Sequence, residues 1–467
     1  MQYPIQLKGA RRVLACAALS ATLLLPNAPA SAESDPEIEA LRAQIIALQN
    51  RLDRLEQERR QEPKPVQTTA PASTQASAEI TVDRRGLVAE SADKKFSFRI
   101  RPRAQTDFRW FPDDEDGSTE MTLRRVRPLI HGKAGPMLWR IMPELAGTIR
   151  IMDAWGDLYF TDTTFLRIGK FKGVSGLERL QSFSQTLFIE SGLQNDLTPI
   201  RDIGLEMQGS AADTTLGWTL GIYNGALDDT DLSNNSNLSK GDFDFGARLF
   251  WQPFKNEKGH VLDGLGVGIS TAAGEEDVTI ADSDRDRRIR YRTQGQATFF
   301  RYNDGVRASG QRLRVNPHLY YYHGPFGLLT EWVHNSQELE RGTNAKTVES
   351  YGWTFQTSYV LTGENASYSG VRPASPFNPS QGTWGAFELG VRATGLNVGD
   401  SAFSGTADTR LARSNSTQKA TAYTLGINWY LTDNLKAVLN YSITDFSGMG
   451  LSRSSEEVLA SRFQIDF

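Results

Sequence analysis

From Phe96 to Trp110 the sequence alternates with period two. Phe96, Phe98, Ile100, Ala104, Phe108 and Trp110 fall on one face of the strand this predicts, and Arg99, Arg101, Arg103, Gln105, Asp107 and Arg109 fall on the other. A soluble sandwich has nowhere to bury that second face. A membrane barrel has, because only alternate residues of its strands face lipid and the others face a wet lumen. Segments of the same kind run at about 121–133, 138–150, 151–161, 164–172, 201–210, 213–224, 243–252 and 263–272. They continue at about 289–302, 311–322, 325–336, 346–362, 383–395, 419–432, 435–446 and 457–467. Beyond the first thirty-odd residues no run of about twenty apolar residues occurs, so helical membrane spans are excluded.

The other end of the chain points the same way. Leu459, Ser461, Phe463, Ile465 and Phe467 share one face of a final strand, and a C-terminal phenylalanine on such a strand is the address of a bacterial outer-membrane barrel. Phe463, Ile465 and Phe467 are therefore read as the insertion signal. The segments number seventeen, whereas single-chain bacterial barrels have an even count. Tight turns at His323-Gly324-Pro325 and Thr432-Asp433-Asn434 belong at the periplasmic end, while 111–120 and 224–242 read as long outer loops. Counting backward from Phe467 and forward from Phe96, the two schemes clash between about 273 and 311. Removing 289–302 from the wall reconciles them. The expectation is a sixteen-stranded antiparallel transmembrane β-barrel over 96–467, in which 274–311 is one outer loop and 363–382 an unusually long periplasmic turn.

Residues 1–32 read as a signal peptide. Lys8, Arg11 and Arg12 precede an apolar run, Val13 to Leu25, that is too short to span a bilayer, and small residues follow at Ala28-Pro29-Ala30 and Ala30-Ser31-Ala32. The only cysteine, Cys16, lies inside this segment, with most of the apolar run after it, which argues against a lipoprotein. A mature chain without cysteine has neither a disulfide scaffold nor a thiolate metal site. Residues 33–60 are expected to form a short coiled coil, because Ile38, Leu41, Ile45, Leu48, Leu52 and Leu55 follow heptad spacing. So short a seam is marginal alone, and a trimeric barrel would hold its copies together. Pro63, Pro65 and Pro71 mark 61–95 as a linker.

Several stretches together resemble the phosphate-selective porin O/P family of Gram-negative outer membranes. They are Leu166-Arg167-Ile168-Gly169-Lys170-Phe171-Lys172, Gly176-Leu177-Glu178-Arg179-Leu180, Phe188-Ile189-Glu190 and Arg201-Asp202-Ile203-Gly204. Leu361-Thr362-Gly363-Glu364, Gly385-Ala386-Phe387-Glu388-Leu389, Leu425-Gly426-Ile427-Asn428-Trp429-Tyr430-Leu431 and Leu439-Asn440-Tyr441 follow in order. The resemblance covers about 96–467 and implies a trimeric, sixteen-stranded, anion-conducting porin, some members of which carry an N-terminal coiled coil.

Anion conduction needs positive charge spaced along the path. Of the 51 basic residues only 13 are lysine, and arginine suits oxyanions because its planar fork can donate two hydrogen bonds to one phosphate. Arg99, Arg101, Arg103, Arg125, Arg127, Lys133, Arg140, Arg312 and Arg314 take inward positions and form the candidate anion pathway. The competing reading pairs them with Asp107, Glu144, Asp153, Asp157, Glu331 and Glu388 and leaves only a wet wall. The resemblance makes 173–200 a constriction loop, with Glu178, Arg179 and Glu190 as its polar residues. Arg285, Arg287, Arg288, Arg290 and Arg292 form a candidate pore-mouth loop, interleaved with Asp282, Asp284 and Asp286.

Phosphate-specific members of that family use a lysine cluster at the constriction, and this sequence shows none, which leaves phosphate specificity against general anion permeation open. His131, His260, His318, His323 and His334 form no metal-ligand pair on one helix, and no serine or cysteine elbow occurs. No enzyme, metal or cofactor is expected. The sequence reads as an outer-membrane porin for passive diffusion of anions, phosphate or polyphosphate among them. Its expected partners are outer-membrane lipid, small inorganic anions and further copies of itself, but not nucleic acid. A non-specific porin is one alternative. The other is an envelope-attachment or adhesion barrel, whose periplasmic coiled coil reaches toward peptidoglycan.

Overall fold

Alternation at this density leaves the chain one way to satisfy its backbone in hydrocarbon, a sheet closed on itself. In the computed structural model, which describes residues 46–54, 78–83, 86–113, 117–231, 243–280 and 289–467, that closure is seen. A short hairpin of β1 (Glu79–Asp83) and β2 (Gly86–Glu90) comes first. The wall begins with β3 (Phe96–Trp110), β4 (Glu120–Ala134), β5 (Met137–Glu144), β6 (Arg150–Tyr159) and β7 (Phe165–Phe171). It goes on through β8 (Asp202–Ala211), β9 (Leu216–Tyr223), β10 (Asp244–Trp251) and β11 (Leu265–Thr279). A second hairpin, β12 (Arg290–Arg292) and β13 (Thr298–Arg301), interrupts the wall. The wall then resumes with β14 (Arg307–His323), β15 (Phe326–Arg341), β16 (Asn344–Val360), β17 (Ala386–Asn397), β18 (Thr417–Tyr430), β19 (Leu435–Gly450) and β20 (Glu456–Asp466).

Each wall strand is antiparallel to the next, and β20 returns to β3, so the sheet of 18 strands less the β1–β2 hairpin is a closed ring of sixteen. The hairpin β12–β13 pairs only with itself. This is the arrangement that the parity argument required when it removed 289–302 from the wall. The last strand meets the first in register, Phe463 opposite Thr106 and Ile465 opposite Ala104.

Polarity is inverted relative to a water-soluble protein. Gln105, Asp107, Thr394, Asn428 and Thr444 are fully enclosed, while Leu220, Phe355, Leu425 and Phe463 are each about half exposed on the outer surface. Such a belt would aggregate in water; in a bilayer it meets lipid. The seam between β20 and β3 is tied by charge as well as by the ladder. Arg462 Nε and Nη2 donate to Asp107 Oδ1 and Oδ2 at 2.6 and 2.8 Å, and Gln105 Nε2 donates to Gln464 Oε1 at 2.6 Å.

The linker expected over 61–95 is corrected in its last part. β3 runs past the end of β20, whose final pair is Asp466 with Arg103. The edge left open is taken by β2, with Leu87 opposite Ile100 and Ala89 opposite Phe98. The alternation of Ile80, Val82 and Leu87 was too short to stand out from a linker. Residues 46–54 are helical with exposed side chains. The rest of the heptad segment, the signal peptide and 61–77 lie outside the described residues.

The periplasmic segment between β16 and β17 is long, as expected, and it is folded. Its Ala366 and Val371 are buried against Val360, Ala386 and Tyr430. At the other end of the barrel, Tyr291, Phe299, Phe300 and Tyr302 pack with Leu193, Leu197, Leu227, Leu396, Leu411, Ala420 and Ala422. This apolar core fills the outer lumen on the side of β15–β18.

The seam pair yields a stability prediction. Asp107→Ala leaves Arg462 buried without its carboxylate and should cost about 3–5 kcal/mol, read as a lower unfolding temperature of the detergent-solubilised barrel. Asp107→Leu combined with Arg462→Leu should cost less than the single substitution.

The pore lining and its inward loop

The segment 172–201 joins β7 to β8 by folding into the lumen. One helical turn, Leu177–Leu180, and a short 3-10 turn, Leu193–Leu197, give it shape, and Leu177, Phe188, Ile189, Leu193 and Leu197 are buried. Its main-chain carbonyls are held by side chains from four consecutive wall strands. Arg392 of β17 donates to Glu190 O at 2.9 Å and Asn428 of β18 to Leu187 O at 2.9 Å. Lys436 of β19 donates to Thr186 O at 2.9 Å, while Arg462 and Gln464 of β20 donate to Ile189 O and Ser184 O at 3.0 Å each. Asn440 accepts from Ile189 N at 2.8 Å.

Glu178 and Arg179 organise the loop internally. Glu178 Oε2 accepts from Gly192 N, Gln194 and Asn195 at 2.7–2.9 Å, and its Oε1 lies 3.3 Å from Arg392 Nη1. Arg179 donates to Asn195 O, Thr198 O and Thr198 Oγ1. Glu190 instead reaches the wall, 2.7 Å from Arg109 Nη2 and 3.4 Å from Arg124 Nη2. Burial opposes its ionisation, but Arg124, Arg109, Arg462 and Arg125 outweigh burial and hold the carboxyl well below the usual range. The periplasmic segment supports the loop from below. Gln181 Nε2 donates to Tyr368 O at 2.6 Å, and the Tyr368 hydroxyl donates to Leu177 O.

The basic residues divide into spent and available groups. Arg99, Arg101 and Arg103 point inward along β3. Arg99 stands opposite His131, which in turn stands opposite Arg140. Arg101 reaches the Phe467 carbonyl oxygen, and Arg103 pairs with Asp466 at 2.9 Å. Arg140 keeps a third of its side chain exposed, 3.8 Å from Asp153. Arg99 and Lys133 have no carboxylate partner among the described residues. Deeper in, the Phe183 ring of the loop is ringed by Arg125 at 4.4 Å, Lys172 at 4.7 Å and Arg127 at 5.8 Å. Of these Arg127 is paired, with Glu144 at 2.7 Å. Nε of Arg99, Arg103, Arg125 and Arg140, and Nη1 of Arg127, are enclosed and make no hydrogen bond among the described residues.

Arg312 and Arg314 correct the expectation for β14. Both side chains are enclosed. Arg312 is held by Asp244 and Glu276, and Arg314 by Asp228 with its Nε at 3.0 Å. Residues 224–231 turn inward and bring Asp228 onto Arg314, which alternation within one strand cannot foretell. Arg292 is likewise committed. It pairs with Asp229 at 2.6 Å, and its main-chain N–H donates to Asp196 at 2.7 Å. It thereby ties the β12–β13 hairpin to two other loops. Arg290 belongs to the same hairpin, and Arg285, Arg287 and Arg288 lie outside the described residues. On β20, Phe463 faces outward, and Ile465 and Phe467 are half-buried.

Sequence reading missed Arg124. A register shift between Gln105 and Thr106 against β4 marks a bulge there, which turns Arg124 inward beside Arg125. It missed Arg392, Lys436 and Arg462 for another reason. Each is the one cation at an inward position of its strand, Arg392 and Arg462 sharing that face with the carboxylates Glu388 and Glu456, and Lys436 with neutral residues.

A sixteen-stranded closed barrel with an apolar belt, a charged interior and a wall-strapped inward loop defines an outer-membrane porin. The chain belongs to the family described as phosphate-selective porin O and P, which it matches over residues 98–467. It is 27% identical over 408 residues to Porin O of Pseudomonas aeruginosa, covering 80% of this chain and 89% of that one. Among solved structures it is similar in fold to OmpT of Vibrio cholerae in its trimer form (TM-score 0.50, 10% identity, 80% of this chain and 99% of that one). It is similar also to the channel DcaP of Acinetobacter baumannii (TM-score 0.50, 10% identity, 80% and 97%). The protein is a porin of the bacterial outer membrane.

The Glu190 contacts generate a pH prediction. A carboxyl held below its unfolded value, about 4.3, contributes stability above that value and loses it only as pH falls through the lower folded one. The Glu190 anchorage of the loop should therefore persist from pH 7 to about 4, and Glu190→Gln should raise open-channel noise above that of the wild type at all pH values in that window.

Proposed function

We propose that the pore passes small anions, oxyanions of the phosphate class above all, along the wall formed by β3–β7. The observation that carries this reading is the row of inward cations on β3–β5, of which Arg99, Arg101, Lys133 and Arg140 keep part of their side chains exposed. Arg99, Arg101, Arg103, Lys133 and Arg140 form the periplasmic stretch of the path. Arg125, Arg127 and Lys172 form its narrow part, against Phe183 of the inward loop, which acts as the constriction. The apolar core on β15–β18 and the loop straps on β17–β20 support placing the path against the arginines.

An ion leaving Arg125 already feels Arg103, so no single site holds it for long, and cations are repelled throughout. Guanidinium groups with free N–H donors favour a tetrahedral oxyanion over chloride because two oxygens can be bonded at once. The lone ammonium of Lys172 at the narrow part stands where a fuller lysine cluster would give tighter phosphate binding. This favours fast, weakly selective passage over tight retention. The heptad segment and the trimer form described for the Vibrio cholerae barrel support a homotrimer as the assembly.

In planar bilayers the protein should give a reversal potential biased to anions in a salt gradient. Replacing Arg99, Arg101 and Arg140 together by alanine should bring that bias toward zero. Because the Debye length shrinks from roughly 10 Å at 0.1 M to 3 Å at 1 M salt, the wild-type bias should weaken over the same range. Millimolar phosphate should reduce the chloride current; a cation-biased potential, or a bias untouched by the triple substitution, would defeat the assignment of this wall.

A further inference from the structure

The far side of the lumen carries a chemistry that the anion path does not use. β10, β11 and β14 lie seven, eight and nine strands round from β3 in the ring of sixteen. On them Phe250, Gly266, Gly268, His318 and Tyr320 share the inner face. The two glycines let the neighbouring rings lie down on the wall. A Cβ at Gly266 would stand 2.4 Å from Phe250 and 2.9 Å from Tyr320, and one at Gly268 would stand 2.6 Å from His318 Nε2. Phe250 and His318 are nearly parallel, 5.9 Å between centroids and 17° between planes. Tyr320 lies 5.2 Å from Phe250 and 5.3 Å from Tyr322. Tyr368, from the folded periplasmic segment, stacks on Tyr320 at 5.5 Å and 27°.

One cation overlooks these rings. Arg248, two residues before Phe250 on the same face, holds its guanidinium 4.8 Å from the Phe250 centroid. Its Nε makes no hydrogen bond, and it has no ion pair among the described residues. Arg248, Phe250, Tyr320, Tyr322 and Tyr368 are all partly exposed.

We propose that this patch is a second binding site of the pore, for organic anions that carry an aromatic ring, namely aryl carboxylates. Arg248 takes the carboxylate, and the ring of the solute lies against Phe250, Tyr320 and Tyr368, where aromatic pairs favour offset or edge contact and the guanidinium adds a cation–π face. Inorganic phosphate gains nothing from the rings and stays with the arginines of β3–β5. The inference rests on the anion-pore reading, since it needs a lumen that admits anions.

The test compares block of chloride current by sodium benzoate and sodium acetate, equal in charge. Benzoate should block at roughly three- to tenfold lower concentration, the worth of one ring contact. Phe250→Leu with Tyr320→Leu should bring the two concentrations together, and Phe250→Tyr, which keeps a ring, should preserve the difference. Equal block of the wild type by both anions would overturn the site, as would an undiminished difference in the double leucine variant. The reversal potential measured in the same bilayers separates the two readings. An anion-selective pore that does not distinguish benzoate from acetate loses the aryl site alone, whereas a cation-selective pore loses both. Should the double variant yield no channels, the wild-type comparison still decides.

Discussion

Hydrocarbon offers a backbone no hydrogen bonds, and that constraint determines nearly everything about this molecule. It demands that β20 find β3, and the Arg462–Asp107 pair lies at that join. It also explains why β2 fills the edge of β3 beyond the last residue of β20, where a row of main-chain groups would otherwise stand open. Closure then turns side-chain alternation into a division between lipid and lumen, and each inward position becomes available for charge.

The lumen uses its charge in two ways. Some cations are structural: Arg312, Arg314, Arg392 and Arg462 are enclosed and answered by carboxylates or loop carbonyls. Breaking one would leave a buried charge unpaired, which is why such groups hold a fold in shape without attracting ions. Others, such as Arg99, Arg101 and Arg140 on β3–β5, stay partly exposed. Arginine content alone therefore says little about selectivity. The partner of each guanidinium decides whether it works as a strut or as a site.

Wall strands were legible because a period of two is a local property, and even the hairpin at 289–302 was placed outside the wall by counting ends. Residues such as Arg99 and Arg140 could be assigned inward from alternation within their own strands. Arg314 could not be judged that way, because the acid that neutralises it, Asp228, comes from a loop 86 residues away. Nor could the straps on the inward loop, which bring together main-chain carbonyls and side chains more than 200 residues apart. Pairing across the lumen is a tertiary property, and a single sequence carries no local trace of it.

The bulge in β4 has a consequence of a different kind. On one side of it Met121 and Leu123 face outward; on the other Val126, Pro128 and Ile130 do. The strand thus changes parity within its length, and odd-numbered lipid positions become even-numbered ones. A single inserted residue has given the channel an extra inward cation while leaving strand number and barrel girth untouched. In a wall where every other side chain is claimed by lipid, such a phase slip is a way to raise lumenal charge density without widening the pore.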